Sequence, residues 1–219
     1  MKKGLDWGLL LLIPALPLAT LYALLVPPVV LEQGQAHRIF YIHVPVAWVA
    51  LYAPLISAVS GVLYLITRRS VFDRWNVTNA RIAVLFSLGV VISGPIWAYT
   101  AWGTFWNFAD PRLMSFFILL LCLAGYFLVR LFTDDVNRRG IYSAVWAIIA
   151  SAASIFTWLA IRVLETDLHP GPVLKTMAPE IGRSFWWNVL AYHLLFWLLL
   201  VIGLRHEKSR EWEEMERES

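Results

Sequence analysis

The sequence predicts an all-α polytopic membrane protein with six transmembrane helices. Of its 219 residues, 59% are hydrophobic and only 15% are charged, and the mean hydropathy is +0.64. A soluble domain carries about 25% charged residues, so this composition is typical of membrane proteins. The apolar residues form unbroken runs of about 20, the length that a helix needs to cross a bilayer core, whereas barrel strands would alternate.

The six predicted spans are separated by charged or turn-forming residues, and their approximate bounds are 6–27, 45–67, 82–101, 113–133, 142–163 and 186–204. Because these spans use nearly the whole chain, we expect a single membrane domain over residues 1–219. Pro45 suits the first turn of the second helix. Pro95, directly after Gly94, predicts a kink near the end of the third span.

The distribution of lysine and arginine over the loops predicts the orientation. One side carries Lys2, Lys3, Arg68, Arg69, Arg74, Arg81, Arg130, Arg138, Arg139, Arg205, Lys208, Arg210 and Arg217. The other side carries only Arg38, Arg112, Arg162, Lys175 and Arg183. The basic side is expected to be cytoplasmic, with both termini on it. The basic residues, and a pI of 9.1, are therefore explained by topology, and no nucleic-acid partner is expected.

A short aromatic interval lies between the third and fourth spans, on the predicted outer side. We call residues 98–115, AYTAWGTFWNFADPRLMS, the aromatic segment. A connection is usually built from Ser, Asn, Gly and charged residues, so these rings indicate a surface that holds something. Interfacial anchoring explains single tryptophans near span ends but explains Trp102 and Trp106 poorly, since they lie close together in one loop.

Two of the five histidines lie on the predicted outer face beside rigid turn residues. His43 precedes Val44-Pro45, and His169 precedes Pro170-Gly171. Two neutral imidazoles that flank an aromatic surface suit the two axial positions of a planar iron macrocycle. For either histidine alone, a solvated or capping role is the alternative.

The other histidines are weaker candidates. His193 lies mid-span, where a hydrogen bond to a neighbouring helix is a commoner role than ligation. His37 and His206 are expected to be solvated loop or tail residues, and the tail from Arg205 to Ser219 reads as a solvated helix extension. Cys122, the single cysteine, is expected to be a packing residue.

The aromatic segment ends in a charged pair. Asp110 is expected to cap the fourth helix, with Pro111 as its first residue. Arg112 could bind a propionate of a macrocycle, because a guanidinium matches a carboxylate bidentately. Weaker candidates for a second propionate are Lys175, Arg38 and Arg183.

These residues together resemble a known family. One run resembles the tryptophan-rich WWD signature of haem-handling proteins. It reads Trp102-Gly103-Thr104-Phe105-Trp106 and is continued by Asp110-Pro111-Arg112-Leu113-Met114-Ser115. A second run looks like the second-helix signature of the CcmC family of cytochrome c-type biogenesis. It reads Ile39-Phe40-Tyr41-Ile42-His43-Val44-Pro45-Val46-Ala47-Trp48. Leu168-His169-Pro170-Gly171 resembles the segment that carries this family's second external histidine.

The sequence departs from the family at three places. Phe105 and Phe108 stand where the family commonly has tryptophan, and one additional residue lies near Ala109. A phenylalanine keeps the stacking face but lacks the indole N–H donor. The analogy therefore transfers better to the remaining tryptophans and to the charged pair than to the two phenylalanines.

The resemblance implies a haem-binding, haem-delivering protein of the cell inner membrane, with its haem site facing the periplasm. His43 and His169 would be the axial iron ligands of haem b. The rest of the haem-binding set would be Trp102, Gly103, Phe105, Trp106, Phe108, Asp110 and Arg112. The implied partners are the periplasmic haem chaperone CcmE, the small membrane protein CcmD, the ABC transporter CcmAB and membrane lipid. Delivery would be lyase-like and would use no acid or base of the protein itself.

Two other functional classes remain open from the residues. A cytochrome b-type electron-transfer subunit would place paired histidines within facing helices. A small-molecule transporter would show charged residues in mid-membrane, and the predicted spans contain almost none.

Overall fold

Every regular element that the structure describes is helical. This computed structural model describes residues 13–29, 34–163 and 177–218. The elements are α1 (Ala15–Leu25), a 3₁₀ helix (Gln35–Ile39), α2 (Phe40–Thr67), α3 (Ser70–Trp102), α4 (Pro111–Leu131), α5 (Val136–Val163) and α6 (Pro179–Glu218). Helices α2 to α6 are long and apolar enough to cross a membrane, and α1 is a shorter apolar helix within the predicted first span. The all-α polytopic class is confirmed.

Several helices extend beyond the apolar runs from which they were predicted. Helix α3 begins at Ser70 rather than near residue 82, and α6 continues to Glu218 rather than ending near 204. With a rise of 1.5 Å per residue, the 40 residues of α6 span about 60 Å, which is about twice the bilayer core. The apolar run therefore marks only the part of a helix that can lie in the membrane.

The extensions of α3 and α6 are joined by ion pairs. Arg74 pairs with Glu211, and Arg81 pairs with Glu207. Glu207 is buried, so this part of the tail is not the solvated extension that its mixed charge predicted. The acidic residues of the tail instead pair with arginines of α3. These partners lie far apart in the chain, so no local sequence pattern reveals the pairing.

Helix α2 contacts α3, α5 and α6 and contributes most to the core. Small residues on its buried faces let the neighbouring backbones approach closely, as is usual between membrane helices. At Gly61, a Cβ atom would lie 2.7 Å from Asn76 Nδ2 and 3.0 Å from Ala144 Cα. The main apolar core includes Val49, Ala50, Ala53, Ala83, Phe86, Leu119, Leu123 and Ala150.

The sequence predicted Pro45 in the first turn of its helix, but the structure places it later. The 3₁₀ helix runs directly into α2 at Phe40, so Pro45 lies in the second turn, with His43 just before it. Helix α3 continues through Pro95 to Trp102. The practical result is that His43 is part of a helix and is not a loop residue.

Candidate functional site

His43 is held by a side-chain contact between α2 and α3. Its Nδ1 lies 2.8 Å from Ser93 Oγ on α3. The Ser93 hydroxyl in turn donates to the carbonyl of Gly89, one turn earlier in the same helix, at 2.6 Å. The imidazole is thereby fixed against the last third of α3, just before the aromatic segment.

Gly94 brings the histidine next to the start of α4. A Cβ atom at Gly94 would lie 3.5 Å from His43 Cε1 and 3.4 Å from Leu113 Cδ2. The imidazole edge and the first turn of α4 therefore both lie next to this buried glycine. His43, Gly94 and the end of the aromatic segment form one site at the same end of the bundle.

Trp102 and Gly103 end α3. Gly103 is the C-cap, with a φ of +75°, and its N–H donates to Tyr99 O at 2.9 Å. A left-handed residue at this position strongly favours glycine. The glycine turns the chain out of α3 and starts the loop; the side chain of Trp102 lies outside the described part of the structure.

The other rings of the aromatic segment form two groups. Phe105 stacks on Tyr99 of α3, with centroids 4.1 Å apart and planes 8° apart. Trp106 makes edge contacts with Phe117 of α4 at 5.8 Å and with Phe108 at 6.0 Å. Phe108 is 77% exposed. The loop therefore leans on both flanking helices, and it presents apolar rings to its surroundings.

Asp110 caps α4, as the sequence predicted. Its side chain accepts hydrogen bonds from Arg112 N at 2.8 Å and from Leu113 N at 3.2 Å, and Pro111 is the first helical residue. Asp110 is buried, which makes its carboxylate part of the structure rather than an exposed group. The cap fixes the direction in which the following arginine leaves the backbone.

Three buried N–H groups of the aromatic segment have no hydrogen-bond partner within the described part of the chain. They are Arg112 Nε, Arg112 Nη1 and Trp106 Nε1. A buried donor left without an acceptor costs about 1–3 kcal/mol. Arg112 was predicted as a possible carboxylate ligand, but nothing in the sequence indicates that the indole N–H of Trp106 is also buried without an acceptor. The site therefore offers donors of the kind that an acidic group could satisfy.

The remaining predicted candidates lie apart from this site or outside the described residues. His169 and Lys175 are outside the described residues. Arg38 connects the 3₁₀ helix to the end of α1, because its guanidinium donates to Ala23 O at 3.2 Å and to Pro27 O at 3.3 Å. Arg183 is exposed on the first turns of α6.

Two expectations about the other histidines are corrected. His37 is buried rather than solvated, because its Nδ1 lies 3.0 Å from Gly34 O and its Nε2 lies 3.5 Å from the Tyr41 hydroxyl. His193 bonds to Val189 O of its own helix at 2.7 Å rather than to a neighbouring helix. His206 is exposed on α6, as expected.

The described helices do not show the pair of facing histidines that a cytochrome b-type site would need. The ring that lies against His193 across the α2–α6 contact is that of Tyr52, with centroids 5.6 Å apart. Among the described residues, no group of three or more His, Cys, Asp or Glu side chains could hold a metal ion.

Comparison with known proteins agrees with the resemblance carried by these residues. The profile of the family described as CcmC: Heme exporter protein C matches residues 2–218. The proteins named Heme exporter protein C of Paracoccus denitrificans and Escherichia coli K12 are 29% and 26% identical, over 82% and 83% of this chain and 76% of each relative. A ccmC-like mitochondrial protein of cytochrome c biosynthesis from Marchantia polymorpha is 39% identical over 51% of this chain, which spans about half (48%) of that relative. The chain therefore belongs to the haem exporter protein C family, which handles haem in cytochrome c maturation.

Proposed function

We propose that this protein binds haem as its cargo at the site formed by His43 and the aromatic segment, and delivers it to a haem chaperone. The observation that carries the proposal is that the His43 ring and the first turn of α4 both lie next to Gly94. This arrangement brings a nitrogen ligand near Leu113, the residue that follows Arg112 in the aromatic segment. Haem needs these three groups together: a ligand for iron, a cation for a propionate and flat apolar surface for the porphyrin.

The residues present fit the chemistry of haem. The imidazole of His43 can supply an axial nitrogen. The two unpartnered nitrogens of Arg112 can donate to a propionate carboxylate, and Trp106 Nε1 can add a third donor. Phe105 and Phe108 are exposed and provide apolar faces that a porphyrin would cover. We assign the second axial position to His169, on the residues that resemble the family's second external histidine.

The proposed delivery takes place on the outer face of the cytoplasmic membrane. The low number of basic residues on this side supports that orientation. CcmE is the proposed recipient of haem b, and CcmD and CcmAB are the proposed neighbours in the membrane. The exposed position of Phe108 supports a site that a periplasmic chaperone could reach from outside.

The experiment is to purify the protein from haem-replete cells and record absorption spectra of the oxidised and reduced forms. We expect a six-coordinate, low-spin spectrum with two histidine ligands. His43→Ala and His169→Ala should each lower the haem content or convert the spectrum to a high-spin form. His206→Ala is the matched control and should leave the spectrum unchanged, because His206 is exposed on the extension of α6.

The same purifications test delivery. Chaperone that carries covalently bound haem should accumulate in cells with the wild-type protein and with His206→Ala, and it should be depleted with the other two variants. Wild-type spectra in both His43→Ala and His169→Ala would overturn the assignment of the ligands. Normal chaperone loading by protein that binds no haem would overturn delivery.

A further inference from the structure

Ser93 makes two hydrogen bonds that together favour one tautomer of the His43 ring. Its hydroxyl lies 2.6 Å from Gly89 O and 2.8 Å from His43 Nδ1. A hydroxyl has one hydrogen to donate, and the carbonyl can only accept. Since the hydrogen is directed to Gly89 O, the oxygen must accept from the ring. In this arrangement, a neutral His43 ring is protonated on Nδ1 and carries its lone pair on Nε2.

The same contact fixes the orientation of the ring. Nδ1 is bound to Ser93 of α3, and Cε1 lies beside Gly94, where a Cβ atom would be in ordinary van der Waals contact with it at 3.5 Å. Two consecutive residues of α3 thus adjoin the ring, and Ser93 bonds to it. A nitrogen ligand whose tautomer and plane are set in advance loses less entropy when it binds iron.

We infer that Ser93 is the positioning residue for haem binding by His43: it holds the imidazole in the Nδ1-protonated form with Nε2 as the ligating atom. This inference rests on the proposed function, because it assigns a role toward the iron that His43 would bind. The hydroxyl also accepts a hydrogen bond from Nδ1–H, which gives the ring more imidazolate character and makes Nε2 a stronger base and a better ligand for oxidised iron.

The test compares Ser93→Ala with Ser93→Thr in the purified, haem-binding protein. Alanine removes the acceptor. Threonine keeps a hydroxyl, which in a helix readily bonds to the carbonyl one turn earlier. Ser93→Ala should bind haem about tenfold more weakly, as is typical when an outer partner of a ligating histidine is lost. Its midpoint potential should be more positive, because a weaker base stabilises oxidised iron less. Ser93→Thr should keep the wild-type affinity and potential.

Ser60→Ala is the matched control. Ser60 is a buried serine of α2 whose hydroxyl donates to Ile56 O of its own helix at 2.8 Å. Its removal should change neither affinity nor potential. If Ser93→Ala keeps both wild-type values, or if Ser93→Thr loses them as alanine does, the hydroxyl does not position His43 and the inference fails.

Failure of this inference can be distinguished from failure of the proposed function. If His43→Ala changes the haem spectrum but Ser93→Ala changes neither affinity nor potential, His43 remains the ligand and only the role of Ser93 is lost. If His43→Ala leaves the spectrum unchanged, the proposed ligand is wrong, and the inference about Ser93 falls with it.

Discussion

At the scale of single residues, Arg112 is placed where its burial works against the stability of the haem-free protein. Its backbone N–H is satisfied by Asp110, but two of its guanidinium nitrogens are buried and have no partner among the described residues. Buried donors without acceptors lower the stability of the folded protein, and a bound ligand that accepts from them removes this cost. A charged residue that is useful only in the bound state should show opposite effects on binding and on stability.

We therefore predict opposite effects for Arg112→Met. Haem affinity should fall about tenfold or more, since a hydrogen bond to a charged group contributes about 1.5–3 kcal/mol. The haem-free protein should become more stable by about 1 kcal/mol, because the unpartnered buried donors are removed and the apolar chain is kept. Haem titration and thermal unfolding in detergent measure the two effects separately.

Arg162→Met provides the control for this prediction. Arg162 is an exposed arginine near the end of α5, and its guanidinium lies 5.6 Å from the ring centroid of Trp158. The same change in charge there should leave haem affinity unchanged. An equal loss of affinity in both variants would indicate general attraction of the haem carboxylates and not binding at Arg112.

At the scale of elements, the aromatic segment is defined by a cap at each end. Gly103 closes α3 in a left-handed conformation, and Asp110 opens α4 with two side-chain hydrogen bonds. Such caps depend on neighbouring residues only, which is why the sequence predicted the start of α4 correctly. The extents of α3 and α6 depend instead on ion pairs between Arg74 and Glu211 and between Arg81 and Glu207, which are distant in the chain.

Removing the cap of α4 should destabilise the protein measurably. We expect Asp110→Ala to lower the free energy of unfolding by about 1 kcal/mol, because two backbone N–H groups lose their acceptor. Asp110→Asn keeps an oxygen acceptor and should cost less. Asp134→Ala, at an exposed position between α4 and α5, should fall within about 0.5 kcal/mol of wild type. Equal Tm values for Asp110→Ala and Asp134→Ala would contradict a structural role for the cap.

At the scale of the whole molecule, composition and apolar runs were enough to predict the fold class, because crossing a bilayer constrains length and hydropathy so strongly. The site was only partly predictable. His43 and Arg112 could be proposed because each is a polar residue beside a turn or a cap. Ser93 gave no signal, since a serine in a membrane helix usually bonds to its own backbone, and its second bond depends on how α2 packs against α3. The stacking of Phe105 on Tyr99 likewise required the loop to fold back on α3.

The orientation of the bundle leads to the last prediction, which concerns opposite ends of a single helix. Helix α4 alone separates the aromatic segment from the α4–α5 connection, so the two must lie on opposite sides of the membrane. The connection is followed by Arg138 and Arg139, and basic residues near helix ends stay in the cytoplasm. In a Cys122→Ala background, we expect Thr104→Cys to react with a membrane-impermeant maleimide in spheroplasts, and Asp134→Cys to react only after permeabilisation.

Thr104 and Asp134 suit this measurement because both are exposed and neither belongs to a capping or aromatic contact described above. The Cys122→Ala protein without an added cysteine should remain unlabelled, which sets the background. Labelling of Asp134→Cys but not of Thr104→Cys in spheroplasts would invert the orientation and place the site in the cytoplasm, so that a periplasmic chaperone could not reach it. Labelling of both would instead contradict α4 as a membrane-spanning helix. Only labelling at position 104 alone is compatible with haem delivery on the outer face.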